Sequence, residues 1–292
     1  MESEIIESRK IIMANIPIHQ RGYTNPQLLA ETHWLAEHLD DPNVRIVDAR
    51  PPQQYGIRHI PGAVNLSGTN GIPRTADGEM ASPEEFSLVA GKLGIGNGGT
   101  IIVYDMPNQH MGLVAWAFLY YGHRDVRLLD GGFEKWTREN RSVSTQPANY
   151  SEAVFNSTPV EAIYCSLSHA KAAHARPQSV FWDTRSLAEF HGAGEGHGKP
   201  PPRPGHIAGA AHLDWIELID PEAKTFKPAA ELRALLESKG ITPDREVNTY
   251  CGGGRRGSIG TLVLKILGYD NARSFAAGFS QWSRQPDTPV ES

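Results

Sequence analysis

One of the two cysteines in this chain lies in a segment whose residue types suit nucleophilic chemistry. Cys251 follows the strand-like run 246–250 and precedes residues 252–257, which comprise four glycines and two arginines. The apolar residues beyond this run recur at the spacing of a buried helical face, which predicts a helix beginning near Ser258. Cys251 is therefore expected at the carboxyl end of a strand and beside a helix N-terminus, where α/β sheets bind ligands.

The charges expected around Cys251 favour its thiolate form. A helix N-terminus carries unpaired N–H groups and partial positive charge, and Arg255 and Arg256 add two full charges. Such surroundings lower the pKa of a cysteine from about 8.5 toward roughly 3.5–7.5. The loop glycines, which allow backbone amides to point inward around an anion, are Gly252, Gly253, Gly254 and Gly257. A cysteine that merely fills a tight turn would not explain these neighbours.

The chain repeats itself, which predicts two copies of one domain. Asp48-Ala49-Arg50 is echoed by Asp183-Thr184-Arg185 at an offset of 135 residues, and His59-Ile60-Pro61-Gly62-Ala63 by His206-Ile207-Ala208-Gly209-Ala210 at 147. A Gly- and Pro-rich insertion, GAGEGHGKPPPRPG, accounts for the difference. Beyond the insertion the offset settles at 146, as in the pairs Gly94 and Gly240, Gly122 and Gly268, and Trp136 and Trp282.

Strand-like and helix-like segments alternate in both halves, which predicts an α/β fold in which each domain has a mostly parallel sheet flanked by helices. Strands are expected at 44–47, 100–104, 126–129, 179–182, 246–250 and 272–275. Helices are expected at 83–93, 112–121, 229–239 and 258–267. The expected division is an irregular lead-in at 1–24, a first domain at 25–142, a linker at 143–162 and a second domain at 163–292.

The two copies differ at the cysteine. The offset of 146 places Asp105 opposite Cys251, and the first copy lacks the glycines and arginines that follow the cysteine in the second. One catalytic domain and one non-catalytic domain are therefore expected.

These motifs together resemble the two-domain rhodanese family, which comprises thiosulfate and 3-mercaptopyruvate sulfurtransferases. The resemblance runs from about residue 25 to residue 286 and rests on the Asp-x-Arg and His-Ile-x-Gly-Ala motifs, the Tyr-Cys loop, and the Gly-Phe segments before Trp136 and Trp282. It implies a ping-pong reaction in which Cys251 takes sulfur from a small-molecule donor as a persulfide, stabilised by the amides of residues 252–257. A second small molecule such as cyanide, a thiol or sulfite, or a protein thiol, would remove the sulfur. The resemblance implies neither a metal nor an organic cofactor.

Thiosulfate is favoured over 3-mercaptopyruvate as the donor. Arg255 and Arg256 suit a dianion, and the family's Gly-Arg-Phe/Tyr segment, which supplies a carboxylate-binding arginine in the mercaptopyruvate type, is replaced by Ala188-Glu189-Phe190. A Cys-Gly opening is common in the mercaptopyruvate type, so that donor remains the alternative. Lys199 or Arg203 of the insertion could replace the missing charge.

Three other classes of protein share parts of this pattern. A cysteine phosphatase uses Cys-x5-Arg, whereas Arg256 gives Cys-x4-Arg, a loop one residue shorter that suits a sulfur atom better than a phosphate. Gly252-x-Gly254-x-x-Gly257 matches a dinucleotide-binding fingerprint, but too few residues follow it for the rest of that fold. A silent rhodanese-like binding module fits the first half better than the second.

Composition restricts the remaining possibilities. A formal net charge of -5 argues against nucleic-acid binding, and no apolar run reaches the roughly 20 residues of a membrane span. The acidic opening lacks the apolar core of a secretory signal, Met13 is a second candidate start, and two cysteines fit a reducing cytoplasm.

Cys165, without basic neighbours, is expected to be inert. The Asp-x-Arg pairs are expected to be structural, and His59 and His206 to brace turns.

Overall fold

The computed structural model describes residues 16–106, 109–193 and 201–292. The strands of the first domain are β1 (Leu29–Ala30), β2 (Val44–Asp48), β3 (Val64–Asn65), β4 (Thr100–Tyr104) and β5 (Val126–Leu129). Its helices are α1 (Thr32–Glu37), α2 (Pro52–Ile57), α3 (Pro83–Lys92), α4 (Gln109–Tyr120) and α5 (Gly132–Arg138). The strands form one parallel sheet in the order β1-β5-β4-β2-β3.

The second domain repeats this plan. Its strands are β6 (Ser179–Asp183), β7 (His206–Ile207), β8 (Ala211–His212), β9 (Glu246–Tyr250), β10 (Ala272–Ser274) and β11 (Val290–Glu291). Its helices are α6 (Leu167–His174), α7 (Leu187–Phe190), α8 (Ala229–Glu237), α9 (Arg255–Ile266) and α10 (Gly278–Trp282). The main sheet is parallel in the order β10-β9-β6-β8, and β11 pairs antiparallel with β7. Short 3-10 turns lie at Ile18–Gln20, Pro26–Leu28, Glu161–Ile163 and Trp215–Leu218.

The predicted fold class and all the predicted strands and helices are confirmed, each to within three residues at both ends. The central strands β4 and β9 are almost entirely buried, as expected where helices cover both faces of a parallel sheet. The elements that the sequence did not reveal are mostly shorter than two helical turns, too short to show a period of 3.6. In the part of the chain that the structure describes, no helix combines the length and apolar character needed to cross a bilayer.

The two domains pack through equivalent helices, α4 of the first and α9 of the second. Gly112 permits the close approach, since a Cβ atom there would lie 2.6 Å from Ile259 Cγ1. One apolar cluster continues across this contact and contains Val114, Ile259 and Val263. Because the cluster is shared, the interface fixes the position of loops from the first domain relative to Cys251.

The segment before the first sheet also joins the domains. Arg21 Nη1 donates to Asp130 Oδ2 of the first domain at 2.5 Å and to the carbonyl oxygen of Phe226 in the second at 3.1 Å. Thr24 Oγ1 donates to the carbonyl oxygen of Leu267 in the second domain at 2.9 Å. The described part of the expected lead-in, residues 16–24, is therefore packed against both domains.

Candidate active site

Cys251 is the first residue after β9, at the carboxyl edge of the second sheet. Gly254, with a φ of 92°, turns the chain into α9, which begins at Arg255. This start is three residues before the predicted one, so Arg255, Arg256 and Gly257 belong to the first helical turn. Gly257 is needed there because a Cβ atom would lie 2.9 Å from Tyr250 Cα.

The backbone of the loop is oriented around the sulfur atom. The N–H of Gly254 donates to Cys251 Sγ at 3.1 Å. The carbonyl oxygens of Cys251 and Gly252 point the other way and accept hydrogen bonds from the N–H groups of Phe279 and Ser280 at 2.8 and 3.0 Å. Positions 252 and 253 have open space where a side chain would stand. The loop therefore presents donors to the sulfur while α10 satisfies its acceptors.

These donors and one arginine stabilise a thiolate. Cys251 is 3% exposed, and burial alone would raise its pKa. The charge of Arg256 and the backbone N–H groups of Gly257, Gly253 and Arg256 outweigh burial, so the pKa lies below the ordinary thiol value. The arrangement is a buried nucleophile that is ionised more readily than a free cysteine.

Arg256 is itself held by a partner that lies far away in the sequence. Its Nη1 and Nη2 donate to the two carboxylate oxygens of Glu189 at 2.6 and 2.8 Å. Although burial opposes ionisation of Glu189, these bonds hold the pKa of that carboxyl at about 2. Ser186 and Glu189 also form a capping box at the start of α7, which is the local sequence signal that could have located the carboxylate. Arg256 thus acts on Cys251 while its guanidinium is bound to Glu189.

Arg255 lies differently, although it is the neighbouring residue. Its Nη1 is 3.4 Å from Thr69 Oγ1 of the first domain, and it lines an open pocket between the domains together with Arg74, Arg284 and Gly253. Sequence reasoning missed Arg74 and Arg284. The sequence also suggested Lys199 or Arg203 of the insertion as a replacement for the missing positive charge. Lys199 lies outside the described residues.

The expectation that Arg203 could supply that charge is corrected by the structure. Its Nε, Nη1 and Nη2 donate to the carbonyl oxygens of Ser283, Thr288 and Trp282. This guanidinium therefore fixes the chain that follows α10.

The two Asp-x-Arg motifs form buried ion pairs, as predicted. Arg185 Nη2 lies 2.6 Å from Asp183 Oδ2, and Arg50 Nη2 lies 2.5 Å from Asp48 Oδ2. Both pairs stand where a strand of the sheet ends, so each fixes the start of the following loop. Among the described residues, no group of histidine, cysteine and carboxylate side chains is arranged to hold a metal ion.

The predicted turn histidines each hold a backbone carbonyl. A ring nitrogen of His59 lies 2.9 Å from the oxygen of Tyr55, and one of His206 lies 2.9 Å from that of Phe190.

The matching place in the first domain holds a carboxylate. Asp105 is buried, and its two oxygens accept the N–H groups of Met106 and His110 at 2.6 and 2.7 Å. Burial raises the pKa of Asp105 to about 6. The second cysteine, Cys165, is free, buried and not reactive in character, since burial raises its pKa well above the ordinary value. Cys251 is therefore the one thiol in the described chain that is set up as a nucleophile.

Both domains match one known protein family. The model of the rhodanese-like domain matches twice, at residues 31–139 and 166–285. The chain belongs to the rhodanese-like family, in its two-domain form. It is a sulfurtransferase, as the relatives below indicate.

Several curated proteins match along almost their whole length. The sulfur carrier protein TtuD of Thermus thermophilus is 32% identical, with 92% of this chain and 98% of that protein covered. A thiosulfate sulfurtransferase of Corynebacterium glutamicum is 30% identical, with 92% of each covered. A 3-mercaptopyruvate sulfurtransferase of Escherichia coli K12 is also 30% identical, with 88% and 95% covered.

A solved structure shares the fold. The anaerobic ergothioneine biosynthesis enzyme from Chlorobium limicola superposes with a TM-score of 0.83 at 21% identity, covering 92% of this chain and 71% of that one. At this identity the likeness concerns the fold alone.

Proposed function

We propose that the chain transfers the outer sulfur of thiosulfate to a thiophilic acceptor such as cyanide through a persulfide on Cys251. The observation that supports the proposal most directly is the environment of the Cys251 sulfur. The sulfur accepts a hydrogen bond from the Gly254 N–H at 3.1 Å, and the pKa of Cys251 is lowered although the residue is buried. A lowered pKa increases the fraction of Cys251 that is thiolate, and a thiolate attacks without a separate general base.

The proposed reaction has two steps that balance without proton transfer. The Cys251 thiolate attacks the outer sulfur of thiosulfate, a new S–S bond forms, and the donor S–S bond breaks with its electron pair leaving on sulfite. Cyanide then attacks the outer persulfide sulfur, a C–S bond forms, and the Cys251 thiolate leaves. The amides of residues 252–257 would stabilise the negative charge on sulfur in both states.

Thiosulfate is the preferred donor because of charge and of leaving-group chemistry. The pocket beside the loop is lined by Arg74, Arg255 and Arg284 against one carboxylate, Asp77, which suits a dianion. Removal of sulfur from 3-mercaptopyruvate breaks a C–S bond and leaves an enolate that must gain a proton, whereas sulfite leaves as a stable anion. Glu189 is paired with Arg256, so it does not repel either donor strongly.

The alternative donor is 3-mercaptopyruvate, favoured by the Cys-Gly opening and by the similarity to the Escherichia coli enzyme. For acceptors, the similarity to a sulfur carrier protein supports a protein thiol as well as a small molecule. A phosphatase is disfavoured because the Arg256 guanidinium, which would bind phosphate, is already bound to Glu189. A silent binding role suits the first domain, where Asp105 replaces the nucleophile.

The donor is tested by comparing kcat/KM for thiosulfate and for 3-mercaptopyruvate with cyanide as the common acceptor. We expect thiosulfate to be preferred, and a clear preference for the keto acid would overturn the donor assignment. A p-nitrophenyl phosphate assay on the same preparation is expected to show no Cys251-dependent hydrolysis.

A further inference from the structure

Arg74 reaches from the first domain to the cysteine loop of the second. It lies between β3 and α3, and its Nη1 donates to the carbonyl oxygens of Gly78 and Ala276 at 2.7 and 2.9 Å. Ala276 follows β10 in the second domain, so the side chain crosses the interface and its Nη1 is bound to both domains. The residue is partly exposed at the rim of the pocket, but its Nη2 is enclosed.

The enclosed nitrogen has no hydrogen-bond partner among the described residues. It lies against the loop that holds Cys251, since a Cβ atom built on Gly254 would be 3.0 Å from it. Gly254 is the residue whose N–H binds the sulfur. A buried guanidinium nitrogen without an acceptor is costly, and an anionic ligand at this place would supply the acceptor.

The pocket beside Arg74 has the charge and the size for a small anion. Its volume is about 250 Å³, and the charged groups that line it are Arg74, Arg255, Arg284 and Asp77. Three positive charges therefore face one negative charge. Thr69 and Ser280 add hydroxyl groups, which can donate to oxygen atoms of a ligand.

The internal repeat provides a comparison within the same molecule. A corresponding pocket of about 130 Å³ lies beside the Asp105 loop. Its lining includes Gly131 and Glu134, which correspond to Ala277 and Ser280 in the pocket beside the Cys251 loop. In the first domain Arg74 pairs with Met80 in a short hairpin, and in the equivalent hairpin of the second domain Ile219 pairs with Phe226. Ile219 therefore stands in the place of Arg74, and it lines this second pocket. The domain fold therefore forms without an arginine at this place, and the arginine occurs only where the nucleophile is.

We propose that Arg74 is a donor-binding and specificity-determining residue contributed by the first domain, and that its guanidinium holds the anionic end of the sulfur donor in the pocket. This proposal rests on the proposed function and narrows its donors to sulfur compounds with a sulfonate-like or carboxylate group. Arg74 replaces, from the other domain, the arginine that is absent at Ala188-Glu189-Phe190. During sulfur transfer, Arg74 binds the leaving group of the donor, which takes the electron pair of the bond that breaks.

The test uses two alkylating reagents that differ in charge, neutral iodoacetamide and anionic iodoacetate, and measures the rate at which each modifies Cys251 in the full chain. For Arg74→Gln we expect the iodoacetate rate to fall by about tenfold relative to the iodoacetamide rate, because a charge-assisted contact with the anion is lost. Arg74→Lys, which keeps the charge, should retain most of the wild-type ratio. Arg124→Gln removes an equal charge at an exposed place before β5 and should leave the ratio unchanged.

A loss of both rates together would show that Arg74 only supports the loop, and an unchanged ratio would show that it does not meet the anion. Either result overturns the proposal. With thiosulfate, the same variant should lose kcat/KM mainly through KM. The alkylation ratio does not depend on sulfur transfer, so a wild-type chain that fails to take sulfur from thiosulfate would refute the proposed function while leaving the role of Arg74 measurable.

Discussion

The reactivity of Cys251 is the result of two opposing effects. Burial removes the sulfur from water and favours the neutral thiol, while Arg256 and the loop amides favour the thiolate and prevail. The same burial limits access, so the sulfur is shielded from large reagents although its pKa is lowered. Glu189 keeps Arg256 in place and partly neutralises it.

Replacement of Arg256 should make the thiol less acidic. In Arg256→Gln the pKa of Cys251 should rise, and because only the thiolate reacts, the alkylation rate at neutral pH should fall by about tenfold for each pKa unit. The measurement is the rate of alkylation by iodoacetamide as a function of pH. The midpoint for the wild type should lie below the ordinary value of about 8.5, and that for the variant should be higher.

This variant also leaves the half-buried Glu189 without its partner, which should destabilise the fold, by less than the roughly 3–5 kcal/mol of a fully buried pair. The double variant Arg256→Gln with Glu189→Gln removes that uncompensated charge. It should recover much of the stability but not the low midpoint. Recovery of the midpoint in the double variant would contradict a direct effect of Arg256 on the sulfur.

At this scale the sequence correctly predicted the position of Cys251 at the end of β9, Asp105 in the matching place and the ion pairs of the Asp-x-Arg motifs. Each is specified by its immediate neighbours. It did not reveal that Arg256 is bound by Glu189, since the two residues are 67 positions apart and meet only in the folded chain. Counting both Arg255 and Arg256 therefore overstated the positive charge that is available to bind a sulfur donor.

Among the elements, the turn from β9 into α9 determines the shape of the anion-binding loop. Gly254 adopts a left-handed conformation and lies against the carbonyl oxygen of Ala276, which would be 2.4 Å from a Cβ atom. Gly257 lets the helix approach the end of β9. The sequence predicted a later helix start because glycine is a poor helix former, and the close packing that explains Gly257 is a tertiary contact.

Replacement of Gly254 should damage both the fold and the site. Gly254→Ala places a side chain at positive φ against backbone, which should cost about 1–3 kcal/mol of stability and displace the N–H that binds Cys251. Gly252→Ala is the matched control for stability, since a Cβ atom there meets nothing within 4 Å. Denaturant unfolding of both variants measures the difference, and equal losses would contradict this account of the turn.

In the whole molecule, residues from both copies of the repeat line the pocket beside the cysteine loop. The sequence predicted two domains, which the fold confirms, because the motifs recur at nearly constant offsets. That the second is the catalytic one stays a prediction. The sequence did not indicate that the loop before α3 reaches the loop that holds Cys251, because that segment shows no periodic pattern and its position depends on how α4 packs against α9.

The contact at Arg21 should contribute strongly to the joining of the domains. Arg21→Met leaves the fully buried Asp130 without a counter-charge, which should lower the free energy of unfolding by about 3–5 kcal/mol. The double variant Arg21→Met with Asp130→Asn should lose clearly less. If the single and double variants unfold at the same denaturant concentration, the ion pair does not stabilise the junction.

The central claim is that Cys251 carries sulfur. The most direct measurement is the intact mass of the protein after incubation with thiosulfate and again after addition of cyanide. We expect a gain of one sulfur atom that cyanide removes, with thiocyanate formed in equal amount, and no gain in Cys251→Ser. A Cys251→Ser variant that still gains sulfur and forms thiocyanate at the wild-type rate would contradict the account.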